Sequence, residues 1–431
     1  MEPTIYVRDR VRYQRFAGVG AAMTDTSAWL IHDELSPAGQ ARLIGELYGA
    51  SGIHLAVALV PMGASDFTHT GQPYSYDDLP IGATDPDMSD FSIAHDEAYI
   101  IPALRQVLAI NPQAEVFAVP WSPPAWMKSN AAFGDLGFSG TLLSSAYQPL
   151  ADYFADFIRG YVGAGIPIAA IAPVNEPLAA SPFPATSFPE PDEDRWITQN
   201  LWPTLRAAGL NVKIYGYDDG WRLPSYPQEL INGTARDALS GIAWHCYQGN
   251  PDSMTIVHDL APSLDESVAE CSPGISPYPV PEVMIASLRN WATSVLLWNL
   301  ALDPSGGPVQ PPNSGCTGCT GPVTISEQNH TASLNLAYYQ LGQVSKFVEP
   351  GARRIASNSF VTYYTLASGQ GATAAGLDDI AFVNPDQSRV IVAYNNSPSP
   401  IEFSVSYRSR SLTYQLAPGA TVTLEFNRPT R

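Results

Sequence analysis

Lysine is almost missing from this chain: Lys128, Lys213 and Lys346 are the only three. Basic residues of all kinds number 22 against 41 acidic ones, leaving a net charge of −19. Such a surface repels phosphate backbones and anionic headgroups, so neither nucleic acid nor a charged membrane is an expected partner. No stretch approaches the roughly 20 apolar residues of a membrane span. The opening Met1-Glu2-Pro3-Thr4 lacks the basic and apolar regions of a signal peptide. The expectation is a secreted protein in its mature form, with a cytoplasmic location as the alternative. Four cysteines are too few for a disulfide-built scaffold. Cys316 and Cys319 lie in a Pro/Gly/Ser-rich stretch where a local disulfide is expected. A zinc half-site is the rival, and no second CxxC exists to complete it. No heptad or apolar patch is readable, so oligomeric state is silent.

What is present is a large hydrophobic share, 45% of 431 residues, enough for one big domain and a smaller one. From residue 16 to about 348, short apolar runs alternate with helical patterns. Expected strands are Phe16–Gly20, Ile53–Val60, Glu115–Val119, Ile168–Val174, Val212–Tyr217, Gly241–Tyr247, Ser267–Glu270 and Ser294–Trp298. Expected helices begin at Ser36-Pro37 and span Tyr147–Tyr161, Asp192–Ala207 and Ser333–Phe347. Eight strand–helix units are what an α/β fold of the (β/α)₈ TIM-barrel type requires. After residue 350 the runs Ile380–Phe382, Val390–Tyr394, Ile401–Tyr407, Thr413–Leu416 and Thr421–Phe426 alternate between turn clusters, as in an antiparallel β-sandwich. Thr4–Val7 could join that sheet. The expected domains are a catalytic barrel at 13–348 and a sandwich from 1–12 plus 349–431.

A barrel of this kind keeps its chemistry at the C-terminal ends of the strands. The fourth run there ends in Asn175-Glu176-Pro177 after seven apolar residues, a place where desolvation would raise a carboxyl pKa as a general acid needs. A glutamate that merely starts a helix is the plainer alternative. The seventh run ends at Glu270, with Glu266 read as solvated and Glu282 as the first turn of the next helix. Two carboxylates about 5–5.5 Å apart across a glycosidic bond are what hydrolysis with retention uses. The third strand ends in Pro120-Trp121-Ser122, the sixth in Trp244-His245-Cys246-Tyr247 and the eighth in Trp298-Asn299. Indole platforms ringed by carboxylate, amide and imidazole groups suit a sugar, whose apolar faces are edged with hydroxyls.

Several blocks resemble glycoside hydrolase family 30. They are Phe16-Ala17-Gly18-Val19-Gly20-Ala21-Ala22-Met23-Thr24-Asp25, Pro61-Met62-Gly63-Ala64-Ser65-Asp66-Phe67, Pro120-Trp121-Ser122-Pro123-Pro124-Ala125-Trp126-Met127-Lys128, Val174-Asn175-Glu176-Pro177, Trp298-Asn299-Leu300-Ala301-Leu302-Asp303-Pro304 running on to Pro308, and Tyr338-Tyr339-Gln340-Leu341-Gly342-Gln343-Val344-Ser345-Lys346-Phe347. They keep family order and cover nearly the whole chain. The resemblance implies a retaining β-glycosidase without cofactor or metal, its acid/base at Glu176 and its nucleophile at Glu270. It implies that Asn175 binds the sugar 2-hydroxyl, that Asp25, Trp121 and Asn313 hold the far hydroxyls, and that Trp298 floors the subsite. His245 counts among the sugar contacts, and Tyr247 would orient Glu270. The Trp-Asn-Leu-Ala-Leu block looks like the glucosylceramidase and β-1,6-glucanase branches, so a β-glucoside is the expected substrate. A β-1,6-galactanase, a β-xylosidase and a sugar-binding relic without turnover are the competing readings. Two departures stand out: Leu59 occupies a position where the family has arginine, and Cys246 replaces an aromatic.

Overall fold

The structure, a computed structural model, describes residues 2–134, 139–310 and 316–426. Two short strands open the chain, β1 (Thr4–Tyr6) and β2 (Arg8–Arg15). Eight parallel strands then close into a barrel: β3 (Gly18–Ala22), β4 (Val57–Pro61), β5 (Glu115–Val119), β6 (Ile168–Ile171), β7 (Lys213–Gly220), β8 (Gly241–His245), β9 (Asp265–Glu270) and β10 (Ala292–Leu297). The ring shuts where β10 pairs with β3, Leu296 lying opposite Gly20. Gly20 is required there, because a Cβ would stand 1.9 Å from the Val57 carbonyl oxygen.

Period-two alternation sorts the strand residues into two apolar layers. Val57, Leu59, Phe117, Val119, Ala243, Ala269 and Leu296 share an inner cluster that reaches Trp121 and Trp298. Ala58, Val60, Val116, Trp244 and Val268 belong to the layer beneath the surrounding helices. Those helices follow the expected signals: Pro37–Tyr48 starts at Ser36, whose hydroxyl accepts from the Gly39 amide, and Tyr147–Gly163 buries its apolar face. The expected helix 333–347 is shorter. Short strands β11 (Ala301–Leu302), β12 (Val323–Ser326) and β13 (Thr331–Leu334) form a small sheet first, and the helix begins only at Leu336. Val323 pairs with Leu334, so Ser333 and Leu334 extend to complete that hairpin.

The remaining strands are β14 (Arg353–Ala356), β15 (Tyr363–Thr365), β16 (Gly371–Thr373), β17 (Leu377–Val383), β18 (Arg389–Asn395), β19 (Ile401–Tyr407), β20 (Arg410–Leu416) and β21 (Thr421–Phe426). A five-stranded sheet, β2-β14-β17-β18-β21, faces a three-stranded one, β1-β19-β20, over Ile5, Val383, Ile391, Phe403 and Val405. Both N-terminal strands thus complete the C-terminal sheets, Ile5 lying opposite Val405 and Arg12 opposite Ile355. No described helix is long and apolar enough to cross a membrane.

Candidate active site

The two glutamates reach the barrel mouth by different local devices. β6 ends at Ile171, and the next residues carry the chain over the rim to Glu176, which adopts φ +44°. Its amide donates to the Asp218 carbonyl at 3.0 Å, and Tyr217 and Asp218 themselves have φ of +77° and +58°. Left-handed conformations at non-glycine residues cost energy and collect where function over-determines the backbone. On β9 the device is a bulge: Trp244 faces Val268 but His245 faces Glu270, so one step on β8 spans two on β9. Ala269 keeps its inward place and the extra residue lets Glu270 join it.

The side chains then converge. One oxygen of Glu176, one of Glu270 and one ring nitrogen of His245 lie within 4.8 Å of one another. His245 Nδ1 is 3.3 Å from Glu176 Oε1 and 3.9 Å from Glu270 Oε1, while Nε2 is 3.3 Å from Asp218 Oδ1. The Tyr247 hydroxyl donates to Glu270 Oε1 at 2.9 Å and accepts from the Ser272 amide at 3.1 Å. Among the described residues no lysine or arginine forms an ion pair with either glutamate, so the imidazole is their cation. Burial opposes its protonation, and the facing charges of Glu270, Asp218 and Glu176 outweigh that and raise its pKa well above the ordinary value. The Glu176 side chain is 24% exposed and that of Glu270 only 9%. Burial pushes the Glu270 carboxyl up, opposed by the His245 charge. Glu266, read from sequence as solvated, is buried and bonded by the Trp244 indole in the outer layer.

Around the pair the expected sugar contacts divide. Asn175 is buried with its Oδ1 unpartnered, as is Glu270 Oε2. Trp121 and Trp298 stack at 4.7 Å, with Phe67 edge-on to Trp298, forming an indole floor. Tyr247 holds Glu270, whereas His245 is wholly buried among carboxylates, which suits it to positioning them and not to touching a ligand. Asp25 does not fit its expected role. Both its oxygens are engaged, by the His69 amide and ring at 2.7 and 2.9 Å and by His95 at 2.7 Å together with the Tyr99 hydroxyl. Asp66, by contrast, is buried with Oδ1 unpartnered and a hydrogen bond from Trp298. Burial and the nearby Glu176 charge push the Asp66 carboxyl up to about 7. Asp66 and Asp218 are not among the residues expected from the sequence, although Asp66 lies in the Pro61–Phe67 block. Only its unsatisfied oxygen separates it from Asp25. Asn313 lies outside the described residues.

Cys316 and Cys319 are joined as expected, and Cys246 is bridged to Cys271, a pairing not anticipated. A cavity of about 100 Å³ between Glu176, Asp219, Arg222, Tyr247 and Gln248 opens beside the pair. Larger hollows on the sandwich (480 Å³, at Tyr407 and Leu412) and under the barrel (460 Å³, at Tyr13 and Trp291) are each lined by a single acidic residue, Glu425 and Asp265, and not by a pair. Glu176, His245 and Glu270 also have the ligand types and spacing of a cation site. The tyrosine bond to Glu270, the indole floor and the spare acceptors fit sugar chemistry better.

The glycosyl hydrolase family 30 TIM-barrel domain model matches residues 16–348, and the beta sandwich domain model of the same family matches 351–424. Endo-1,6-beta-D-glucanase BGN16.3 of Trichoderma harzianum is 33% identical over 92% of this chain and 80% of its own length. Mouse lysosomal acid glucosylceramidase is 27% identical over 95% of this chain and 81% of its own. Among solved structures, the endo-beta1,6-glucanase BT3312 superposes with a TM-score of 0.83 at 29% identity, covering 97% of this chain and 93% of that one.

Proposed function

The chain belongs to glycosyl hydrolase family 30 and is a retaining glycoside hydrolase, and from that premise we propose that it cleaves β-1,6-linked glucan with Glu270 as nucleophile and Glu176 as acid/base. The observation that carries the residue assignment is the separation of the carboxylates, under 4.8 Å between nearest oxygens. Inverting enzymes need about 6.5–9.5 Å to seat a water between theirs. In the first step Glu270 attacks the anomeric carbon while Glu176 gives its proton to the departing oxygen. In the second, Glu176 takes a proton from water as that water attacks the same carbon and frees Glu270. Glu270 must be ionised to attack; the His245 charge and the Tyr247 hydroxyl favour that form against burial. Asn175 and Asp66 would accept hydroxyl hydrogens of the bound sugar over the Trp121–Trp298 floor. Their bonds to the ring strengthen as positive charge grows at the anomeric carbon.

Three fungal relatives at 31–33% identity, each named an endo-1,6-beta-D-glucanase, support a β-1,6-glucan substrate and cleavage within the polymer. Two disulfides support maturation in an oxidising compartment, hence export. Trapping with a 2-deoxy-2-fluoro glucoside and peptide mapping should place the adduct on Glu270; an adduct on Glu266 or Glu282 sinks the assignment. Products from β-1,6-glucan, aryl β-glucosides, β-xylosides and β-galactosides, and glucosylceramide read the substrate. A tenfold advantage for xyloside or galactoside rejects the glucosyl reading and leaves the carboxylate pair standing. Activity unchanged by EDTA is expected, and metal-restorable loss would recast the trio as a cation site.

A further inference from the structure

The bridge between Cys246 and Cys271 occupies a position that the reaction scheme leaves unexplained. Its Cα atoms are 5.2 Å apart across adjacent strand ends, 25 residues apart in sequence. Cys246 stands between His245 and Tyr247, and Cys271 follows Glu270, so every residue flanking the bridge on its catalytic side touches the nucleophile or is the nucleophile. Alternation puts the sulfurs behind the wall. Cys246 and Cys271 belong with Trp244 and Val268 to the layer under the helices, while Ala243 and Ala269 belong to the barrel interior.

The bulge makes this placement consequential. Turning Glu270 inward uses an extra residue on β9, and the pairing of β8 with β9 ends there, at His245 opposite Glu270. A bulge disrupts the ladder locally and loosens the pairing next to it. Past it the backbone contact between the two strand ends is one bond, Cys246 amide to Glu270 carbonyl, at 3.3 Å the long end of the normal range. The Cys271 carbonyl is taken by the Trp298 amide at 3.0 Å, which ties the same point to the indole floor. A covalent link one residue beyond the bulge therefore fixes the spacing that a frayed ladder would not.

We propose that the Cys246–Cys271 disulfide is a positioning device for the nucleophile: it holds the end of β8 against the end of β9 so that the Tyr247 hydroxyl and the His245 ring keep their contacts with Glu270. This rests on the reading of Glu270 as nucleophile. Without the bridge the two strand ends separate, Tyr247 loses its bond to Glu270, and the bond that favours the carboxylate is weakened. The bridge itself is buried, so it acts as a fixed strut and makes no contact with substrate.

The Cys246→Ser/Cys271→Ser enzyme separates this from simple stabilisation. It is expected to lose about tenfold or more in kcat with KM little changed, since small misplacements of a reacting group are costly. Its acidic limb should move to higher pH, because the Tyr247 bond that lowers the Glu270 pKa is weakened. A bridge that only restrains the unfolded chain would lower Tm and leave kcat and the limb alone. A folded double variant with wild-type kcat and wild-type limb overturns the proposal. Should that variant not fold, the native enzyme decides. Non-reducing peptide maps must show the 246–271 cross-link in fully active protein. On phosphine treatment, alkylation at Cys246 and Cys271 must track activity loss, and re-oxidation must restore it. Full activity in molecules with both thiols free or alkylated overturns the proposal. A fluoroglycoside adduct away from Glu270 would instead overturn the catalytic assignment on which it rests.

Discussion

Asp25 and Asp66 are both buried aspartates just past neighbouring strands of one barrel mouth, and they are electrostatic opposites. At Asp25, burial is outweighed by hydrogen bonds from His69, His95 and Tyr99, which hold the carboxyl well below the usual range. At Asp66, burial dominates and the charge of Glu176 adds to it, so the carboxyl rises to about 7. A satisfied acceptor has nothing left to offer a ligand, and a starved one gains most by meeting a hydroxyl. The first corner is built as a brace, its histidines stacked on Trp29 and Tyr74. The second belongs with Asn175 and Glu270, whose spare oxygens are also buried.

Replacing each aspartate by alanine should split these corners apart. Asp66→Ala is expected to lower kcat/KM by about 100-fold, a lost bond to a charged group plus its strengthening in the transition state, with Tm unchanged or raised. Asp25→Ala should cost about 3 kcal/mol of stability, because the buried Tyr99 hydroxyl and the half-buried His69 and His95 lose their partner, and kcat/KM should stay within about tenfold. Thermal melts beside steady-state kinetics read both, and the reverse pattern would restore Asp25 as the sugar ligand. His245→Gln tests the starved side next. Loss of the imidazolium removes the charge that favours ionised Glu270. The acidic limb of kcat/KM should then move up by about one pH unit and kcat fall roughly tenfold. An unmoved limb would mean that another group keeps Glu270 ionised.

How much of this was legible in the chain follows the same division. Most barrel strands read well because each is a short apolar run bounded by turn residues; β9 reads poorly, since Val268 and Ala269 are its only apolar residues, and Glu176 and Glu270 are singled out because they follow strand ends. β2 is weakly announced, since Val11 and Tyr13 are the only apolar residues among the charged and polar ones of Arg8–Arg15; it forms by pairing with β14, a partner some 340 residues away. The bulge that aims Glu270 is likewise a property of two strands together. Cys246 could be noticed as an oddity, but its partnership with Cys271 depends on barrel register. Asp25 and Asp66 both follow barrel strands, and nothing local distinguishes a carboxylate that will meet two histidines from one that will meet none. Lys128 is also buried, bonding Ser122 and the carbonyls of Phe133 and Ala185.

A second buried acid group, at the seam between barrel and sandwich, sharpens the contrast because it has no substrate to meet. Burial pushes Asp378 and Glu282 each up to about 7, and burial pushes Asp379, beside Arg289 at 3.6 Å, up to about 6. Acids whose folded-state pKa is raised stabilise the fold fully below their unfolded values, and the contribution is lost as pH rises through about 6–7. Wild-type Tm should therefore drop between pH 5.5 and 8.5, and Asp378→Asn or Glu282→Gln should shrink the drop by about 1–3 °C. An equal drop in the variants would place the pH dependence elsewhere, Glu193 being next, since burial raises it to about 7 as well.

The smallest expected effect is at Leu59, where the starved corner could be given what the family usually has. Leu59 is buried in the inner cluster with Phe67, Trp121 and Ala269, one residue from Glu270. Burial of Glu270 is opposed by a titrating histidine and not by a permanent charge. An arginine at position 59 would favour the ionised nucleophile at all pH values, so the acidic limb should move downward, opposite in sign to His245→Gln and by less than one unit. The gain is limited from two sides. The guanidinium must displace packing, at about 1–3 kcal/mol of stability, and its charge would also suppress protonation of His245. Combining the two changes is the sharper measurement: Leu59→Arg should offset part of the His245→Gln shift if both act on Glu270. The shift from Leu59→Arg should be larger in the His245→Gln background than alone, because no imidazolium is left for the new charge to suppress; equal shifts would mean that the arginine leaves His245 undisturbed, and no shift in either background would mean that position 59 does not face Glu270.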